Sequence, residues 1–504
     1  MKHPIENEQG PDEAARHQSL NTPIRMYCLR ETLNLHWDRY RSSDTGQVSE
    51  KITYEEPVNN GDWKFGAIDL GSAWLVFHER DLLINAPVLH DVGFRTRRLA
   101  GSSSERVWEA HQRFPSVDAQ LTVKLRLFDN PVHFYIADDG KLMLLLSKGT
   151  SIETVGSGYD SALLIEHLKK QNGIHLPDAS PPTGALRGEL IGQFSEDGLG
   201  RVIGFDACQS RMVADAKTFA EPTTSMPINI RFSEDAFPEI AQNKPPQDMN
   251  CALSLFVPNE NAVLTSGVYL PEAHDYAAQF YLRSAFSAPA SAALAAQKPS
   301  ITPLLRQVYP GDEKQALTLE PSNANAQWAF DGPSVGSLQN ENGNRFYYPP
   351  PPLTPAATLE PNNKTNVPAA LKADLEHPLY ADVINATSAG QKATSTFLTQ
   401  YIPETHFFKA HLVSGKVRLV MWYTKWGATT PIEVSAANTQ WVRIAGNGNV
   451  DSNGVFSPAS SQPTPFTVLL AKDVTKDDGY YYWAYIVLPL PILEPDKVLE
   501  LING

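Results

Sequence analysis

Among the three thiols of this chain of 504 residues, Cys208 has the setting that could support chemistry. Residues 201–210, RVIGFDACQS, carry an apolar run into Asp206-Ala207-Cys208, and a thiol at a strand end can attack a carbonyl if an imidazole takes its proton. Without that imidazole its pKa stays near about 8.5 and it is mostly protonated at neutral pH. His133, His167 and His175 are the imidazoles near enough in sequence to consider. The competing expectation is a buried structural Cys, with Asp206 and Ser210 as ordinary turn residues. Two acid pairs, Glu196-Asp197 and Glu234-Asp235, have the residue type a glycoside hydrolase needs, although adjacent carboxylates on a polar stretch more often make a solvated turn. Residues 449–454, NVDSNG, offer alternating oxygen ligands and a glycine for the bend of a calcium loop. The twelfth position is Ser460 where such a loop needs a bidentate Glu, so a hairpin turn is expected there, with no metal and no cofactor. The last set is aromatic: Trp422, Tyr423, Trp426, Tyr480, Tyr481, Tyr482, Trp483 and Tyr485. Tyr481, Trp483 and Tyr485 share one strand face and Tyr480, Tyr482 and Ala484 the other. One row is expected to be core and the other either available for recognition, with Trp422, Trp426, Tyr480 and Tyr482 as the binding residues, or covered by another domain or a subunit contact.

The elements that must position these groups read mainly as strands. Apolar residues alternate with polar ones from Val117 to Leu127, Asp129-Asn130-Pro131 supplies a turn, and residues 132–137 and 142–146 continue what reads as a β-meander. The last run is unbroken and suits a strand covered on both faces. Further strands are expected over 27–33, 51–54, 73–78, 82–86, 201–205, 252–257 and 262–269. The clearest helix signal spans 159–171, with Asp160 or Ser161 as cap, Leu164 and Leu168 on one face and Asn172-Gly173 as the stop. Residues 285–298 read as a weak helix or linker. Four consecutive prolines from Pro349 favour polyproline II and a domain boundary. Beyond it, 407–413 and 417–423 form a hairpin through Ser414-Gly415, and 466–471 and 480–488 are β-prone.

Composition sets the outer bounds. Hydrophobic residues make up 42% and charged residues 19%, and 39 Pro with 31 Gly provide the turns of short-stranded folds. With 42 Lys and Arg against 56 Asp and Glu the net charge is -14. No basic run follows a phosphate backbone, so nucleic acid is not expected as a partner. Residues 1–20 hold no apolar core of a signal peptide, and no stretch of 18 apolar residues marks a transmembrane segment. Synthesis in the cytoplasm is expected, a reading compatible with release or injection by a dedicated machine. Cys28, Cys208 and Cys251 are too scattered for a disulfide framework or a paired zinc site, and at least two are expected to be buried thiols.

Two stretches resemble known families. Residues 417–427, VRLVMWYTKWG, look like the strand that carries the core Trp of immunoglobulin-like domains. Residues 474–483, VTKDDGYYYW, are similar to their D-x-G-x-Y-x-C corner, with Asp477, Gly479 and Tyr481 on the pattern. The resemblance implies a β-sandwich whose buried Tyr ties the corner to backbone. Ala410 and Trp483 stand where the two cysteines belong, so it implies a sandwich without its disulfide. The order of an apolar strand at 142–146, a loop, the 159–171 helix and the Cys208 strand resembles caspase-like cysteine peptidases. That family places a His at the end of the earlier strand, where this chain has Ser147-Lys148-Gly149.

The fold expected is therefore mainly β and multidomain: a flexible tail at 1–22, a β-rich domain at 23–150, a mixed α/β section at 151–345, a Pro-rich linker at 346–394 and an immunoglobulin-like sandwich at 395–504. The function expected is recognition of a protein or carbohydrate surface, in the manner of a bacterial effector or toxin-like protein. A cysteine peptidase using Cys208 is the alternative, and a glycoside hydrolase the second.

Overall fold

The computed structural model describes most of residues 24–503; the longest stretches outside it are 156–172, 209–227, 283–297 and 353–377, and for parts of several strands only the backbone is described. Strands dominate and the protein is mainly β with many sheets. The chain forms two compact units that alternate along the sequence. One comprises Met1–Ile52, Asp69–Leu89 and Val117–Ala296, the other Thr53–Ile68, His90–Ser116 and Gln297–Gly504. No helix among the described residues is long and apolar enough to cross a membrane.

The first unit is built on a nine-stranded sheet. Its strand order is Gly173–His175, Leu142–Leu145, Val132–Ile136, Gly188–Glu196, Val202–Cys208, Ile24–Leu29, Ile228–Ser233, Asp275–Leu282, Ala262–Leu270, and every pairing is antiparallel. Alternation decides its faces. Ile24, Met26, Cys28, Phe134, Leu190, Ile230, Phe232 and Phe280 are buried on one side, while Arg25, Tyr27, His133, Tyr135 and Arg231 lie on the other. Leu142–Leu145 follows the same alternation, so it is covered on one face and not on both as its unbroken apolar run suggests. The meander holds only in part. Val132–Ile136 and Leu142–Leu145 pair across a turn, but Gln120–Arg126 pairs with Ser151–Val155 and with residues 81–87.

Two further expectations are corrected. The strand expected over 27–33 ends at Leu29, and Arg30–Ser43 is a helix. Leu33 and Trp37, four apart, are fully buried, and Trp37 meets Tyr40 edge to face, the helical spacing that outweighed the extended run before it. Asn34 fixes this helix to its neighbour by exchanging hydrogen bonds with the backbone of Phe77 at 2.8 and 2.9 Å. The strand expected over 252–257 is instead the helix Met249–Ser254, whose Cys251, Ala252 and Leu253 are buried. The helix expected over 159–171 and the linker expected over 285–298 lie outside the described residues, apart from Lys298.

The second unit holds an extensive apolar core. Leu305–Val308 runs antiparallel to Arg106–Arg113 and parallel to Gln391–Gln400, which pairs with Leu379–Ser388. Farther along, Phe407–Val413 pairs with Lys416–Tyr423 as expected. Its two-residue turn, Ser414 at φ 50° and Gly415 at φ 73°, has the left-handed pair that matches strand twist. Thr467–Asp473 lies between Thr439–Ala445 and Trp483–Leu488. The C-terminal helix Pro495–Asn503 buries Val498 and Leu501, and Asn503 exchanges hydrogen bonds of 2.9 Å with the backbone of Ala410. The proline run is anchored at its start: Pro350 is buried and its carbonyl accepts from Gly311 N–H at 2.8 Å.

Candidate functional site

The aromatic groups near the C-terminus divide differently from the expectation. Every residue of Trp483–Leu488 is buried, so this strand has no exposed row; Trp483 and Tyr485 stack in the core, and the Trp483 indole N–H donates to Pro403 O at 3.1 Å. Both faces are core because the second unit's apolar cluster reaches the strand from both sides. Tyr481 packs against that cluster, half-buried. Trp426, Asp477, Gly479 and Tyr480 lie outside the described residues.

Half-buried aromatic surface is found instead on the Phe407–Tyr423 hairpin. Phe408, Ala410, Leu419 and Met421 point into the core. Alternation therefore turns Phe407, Lys409, His411, Arg418 and Trp422 to the opposite face. Phe407 and Trp422 are direct cross-strand neighbours, and Glu433 is the partner of Trp422 on its other side. The Lys409 ammonium stands 4.3 Å from the Trp422 ring centroid, within cation–π range. No atom of the described residues accepts from the Trp422 indole N–H. Arg418 is held by the carbonyl of Asn453 at 3.1 Å. A cleft of about 10 Å³ beside Arg418, Glu433, Trp441 and Gly454 has room for about one water and holds nothing larger. Sequence reading singled out Trp422 but missed Lys409 and Phe407; their place two and zero register steps from Trp422 follows once the Ser414-Gly415 turn fixes the hairpin.

Tyr482 stands elsewhere, 6.1 Å from the buried His406 ring, which also tilts against Tyr423 at 5.0 Å. His406 Nδ1 meets Thr405 Oγ1 at 2.8 Å and Nε2 lies 3.5 Å from Asp473 Oδ2. Burial lowers its pKa to about 4, the nearby Asp473 opposing that shift only in part. This imidazole is a neutral member of the core.

Cys208 ends the strand Val202–Cys208. Its register neighbour is Ile191, and Ile191 is in turn the neighbour of His133. Cys208, Ile191 and His133 thus occupy one row of the sheet, which sets the outer two about 10 Å apart at two strand spacings. His133 Nδ1 is 2.8 Å from Glu189 Oε1. His175 lies on the outermost strand, paired with Met143, and His167 is outside the described residues. A strand–helix–strand order makes a crossover to a parallel neighbour, but Leu142–Leu145 is two strands removed from Val202–Cys208, which is antiparallel to both strands beside it. The other two thiols are buried, and burial raises both, Cys251 to about 12.

The acid pairs and the loop have local roles. Glu234 accepts from the Tyr269 hydroxyl at 2.5 Å and lies 2.9 Å from His274 Nδ1; the Tyr269 hydrogen bond, then that of His274, lowers its pKa. Asp235 is exposed. Glu196 ends a strand and Asp197 lies outside the described residues. Residues 449–454 form the expected hairpin turn: Asn449–Val450 pairs with Phe456–Ser457, and Asp451 Oδ1 accepts from Asn453 and Val455 N–H at 2.9 and 2.8 Å. Among the described residues no group of His, Cys, Asp and Glu has the arrangement of a metal site.

No protein-family model and no curated protein matches the sequence. Among solved structures, P47 of Clostridium botulinum A2 is 8% identical, over 96% of this chain and 85% of that one, at a TM-score of 0.24. Human protocadherin-24 EC1-2 is 10% identical over 38% of this chain and 95% of that one, at 0.14. BT4661, a SusE-like surface-located polysaccharide-binding protein of Bacteroides thetaiotaomicron, is 6% identical over 86% of this chain and 61% of that one, at 0.13. Scores this low decide nothing about this chain.

Proposed function

We propose that the chain is a recognition protein that engages a carbohydrate through the outer face of the Phe407–Tyr423 hairpin. The observation that carries this reading is Trp422: a half-buried indole on a well-braced strand, beside Phe407 and under Lys409. An indole face stacks on the apolar face of a sugar ring at low entropic cost, and the surrounding Lys409, His411, Arg418 and Glu433 supply donors and an acceptor for its hydroxyls. The face is too polar for the apolar centre of a protein–protein contact. Its opposite side is locked into the core by Phe408, Ala410, Leu419 and Met421, so the ring positions are fixed before binding.

A glycan array followed by calorimetry on its strongest hit tests the reading. Trp422→Ala is expected to weaken binding at least about tenfold, about 1.4 kcal/mol, and Lys409→Ala less, with the thermal midpoint of each variant near that of the parent chain. An array without a hit, or a hit that Trp422→Ala leaves unchanged, would sink the proposal. Capture of a purified protein ligand that the same substitution abolishes would move the face to protein recognition.

A further inference from the structure

The polar face of the nine-stranded sheet carries an arrangement that sheets ordinarily avoid. Arg25 and Arg231 are direct cross-strand partners, and like charges placed opposite each other destabilise a sheet. Among the described side chains a single carboxylate lies beside them. Asp275, 1% exposed, accepts from Arg25 Nη2 at 2.7 Å, while Arg231 Nη1 stays 3.9 Å away, too far for a hydrogen bond. One carboxylate cannot offset two guanidinium charges. No hydrogen bond from Arg231 to any described residue accompanies that ion pair, and Arg25 Nε is buried with no acceptor. Asp275 Oδ1 is likewise buried with no partner among the described residues. The two arginine side chains keep about a third of their surface open, 28% for Arg25 and 32% for Arg231, with Arg25 Nε on the covered side.

We infer that Arg25 and Arg231 form a binding site for an oxyanion, with Asp275 as the buried group that fixes the Arg25 fork. Paired arginine forks fit a group with two or three acceptor oxygens. The chemical class is therefore a phosphate or sulfate ester or a carboxylate on a larger ligand. Elsewhere this face is polar and uncharged in the next row, where Tyr27, Asn229 and Gln279 are successive partners. That row supplies hydrogen-bonding surface for the neutral remainder of the ligand. The chain's net charge of -14 makes this arginine pair a local exception in sign, and an anion reaching it gains from the pair what it loses to the surrounding field.

The test is calorimetric titration of the full chain with inorganic phosphate, inorganic sulfate and acetate, each against sodium chloride of matched ionic strength. Saturable binding of at least one of the three oxyanions is expected, and the strongest of them assigns the head group as tetrahedral or planar. Arg231→Gln should weaken it at least tenfold and Arg231→Lys, which keeps the charge and loses the fork, by several fold. Lys141→Gln, a substitution at an exposed turn ion pair with Asp139, should leave it unchanged. Circular dichroism of each variant shows that the sheet is intact. No binding beyond the chloride control, or equal binding by parent and Arg231→Gln, would overturn the inference.

Discussion

Asp382 in the second unit and Asp275 in the first are equally buried, each 1% exposed, yet they are used in opposite ways. Asp382 accepts from Val335 N–H at 2.9 Å, Gly336 N–H at 2.7 Å and the Tyr347 hydroxyl at 2.8 Å, and Tyr347 stacks on Phe397 with centroids 4.0 Å apart. Each oxygen of that carboxylate has a fixed donor. Asp275 has Arg25 on one oxygen and, among the described residues, nothing on the other. A buried carboxylate whose acceptor sites are filled by backbone acts as a clamp; one paired with half-exposed arginines leaves those arginines able to act on something else. Burial of a charge is costly in both places, and the difference in partners shows which unit spends it on rigidity.

Substitution tests this directly. Asp382→Ala should cost about 3–5 kcal/mol in chemical denaturation, because it leaves two partly buried N–H groups and the buried Tyr347 hydroxyl without their acceptor. Asp275→Ala should cost clearly less, about 1–2 kcal/mol, since both arginine heads can turn to water. Equal losses would erase the distinction between clamp and site.

Titration provides a second contrast, in sign. Burial holds His406 at about 4 in the folded second unit against an ordinary 6.5, so its contribution is fully present above 6.5 and is lost as pH falls through about 4, by up to about 3 kcal/mol. Burial raises Asp275 above its ordinary 3.8, outweighing the attraction of Arg25 and Arg231. That contribution is present below 3.8 and is lost as pH rises through the raised native value. Denaturant midpoints measured against pH should lose their fall between 6.5 and 4 in His406→Gln and keep it in Asp275→Asn; the converse pattern would assign the slope to the wrong unit.

The smallest effect expected is one of reactivity and leaves stability untouched. A small thiol probe on the native chain should leave Cys28 and Cys251 unmodified until unfolding, since both are buried with raised pKa values. Fast modification confined to Cys208, with an apparent pKa well below 8, would give the first unit a reactive centre and reopen hydrolysis there.

How much of this was legible depends on sequence distance. The Phe407–Tyr423 hairpin could be read because its turn, its alternation and its Trp are all local. The helix Arg30–Ser43 was obscured by the β-prone Tyr27–Leu29 just before it, although Leu33, Trp37 and Tyr40 have helical spacing. Met249–Ser254 is short and apolar, where periodicity cannot tell helix from strand. Of the expected recognition row, Ala484 is buried, Tyr482 is half-buried and Tyr480 lies outside the described residues; alternation reveals which residues share a face, and not whether a second layer covers it. Arg25 and Asp275 are 250 positions apart, and no local pattern joins them.

The alternation of the two units along the chain has a consequence for synthesis. Everything the first unit needs has been translated once Ala296 is made. The second unit's early pieces, Thr53–Ile68 and His90–Ser116, must wait for partners that follow Gln297; the backbone N–H of Trp108, for one, donates to Gln307 Oε1, 199 residues downstream. At roughly 5–20 residues per second that wait is about 10–40 s, during which Arg106–Arg113 has residues 91–98 as strand partner and Phe65 against Trp108, and lacks the strand Leu305–Val308. Vectorial folding of this protein is therefore ordered, first unit before second, and the interval between them is when the nascent chain is most exposed to chaperones and to misassembly.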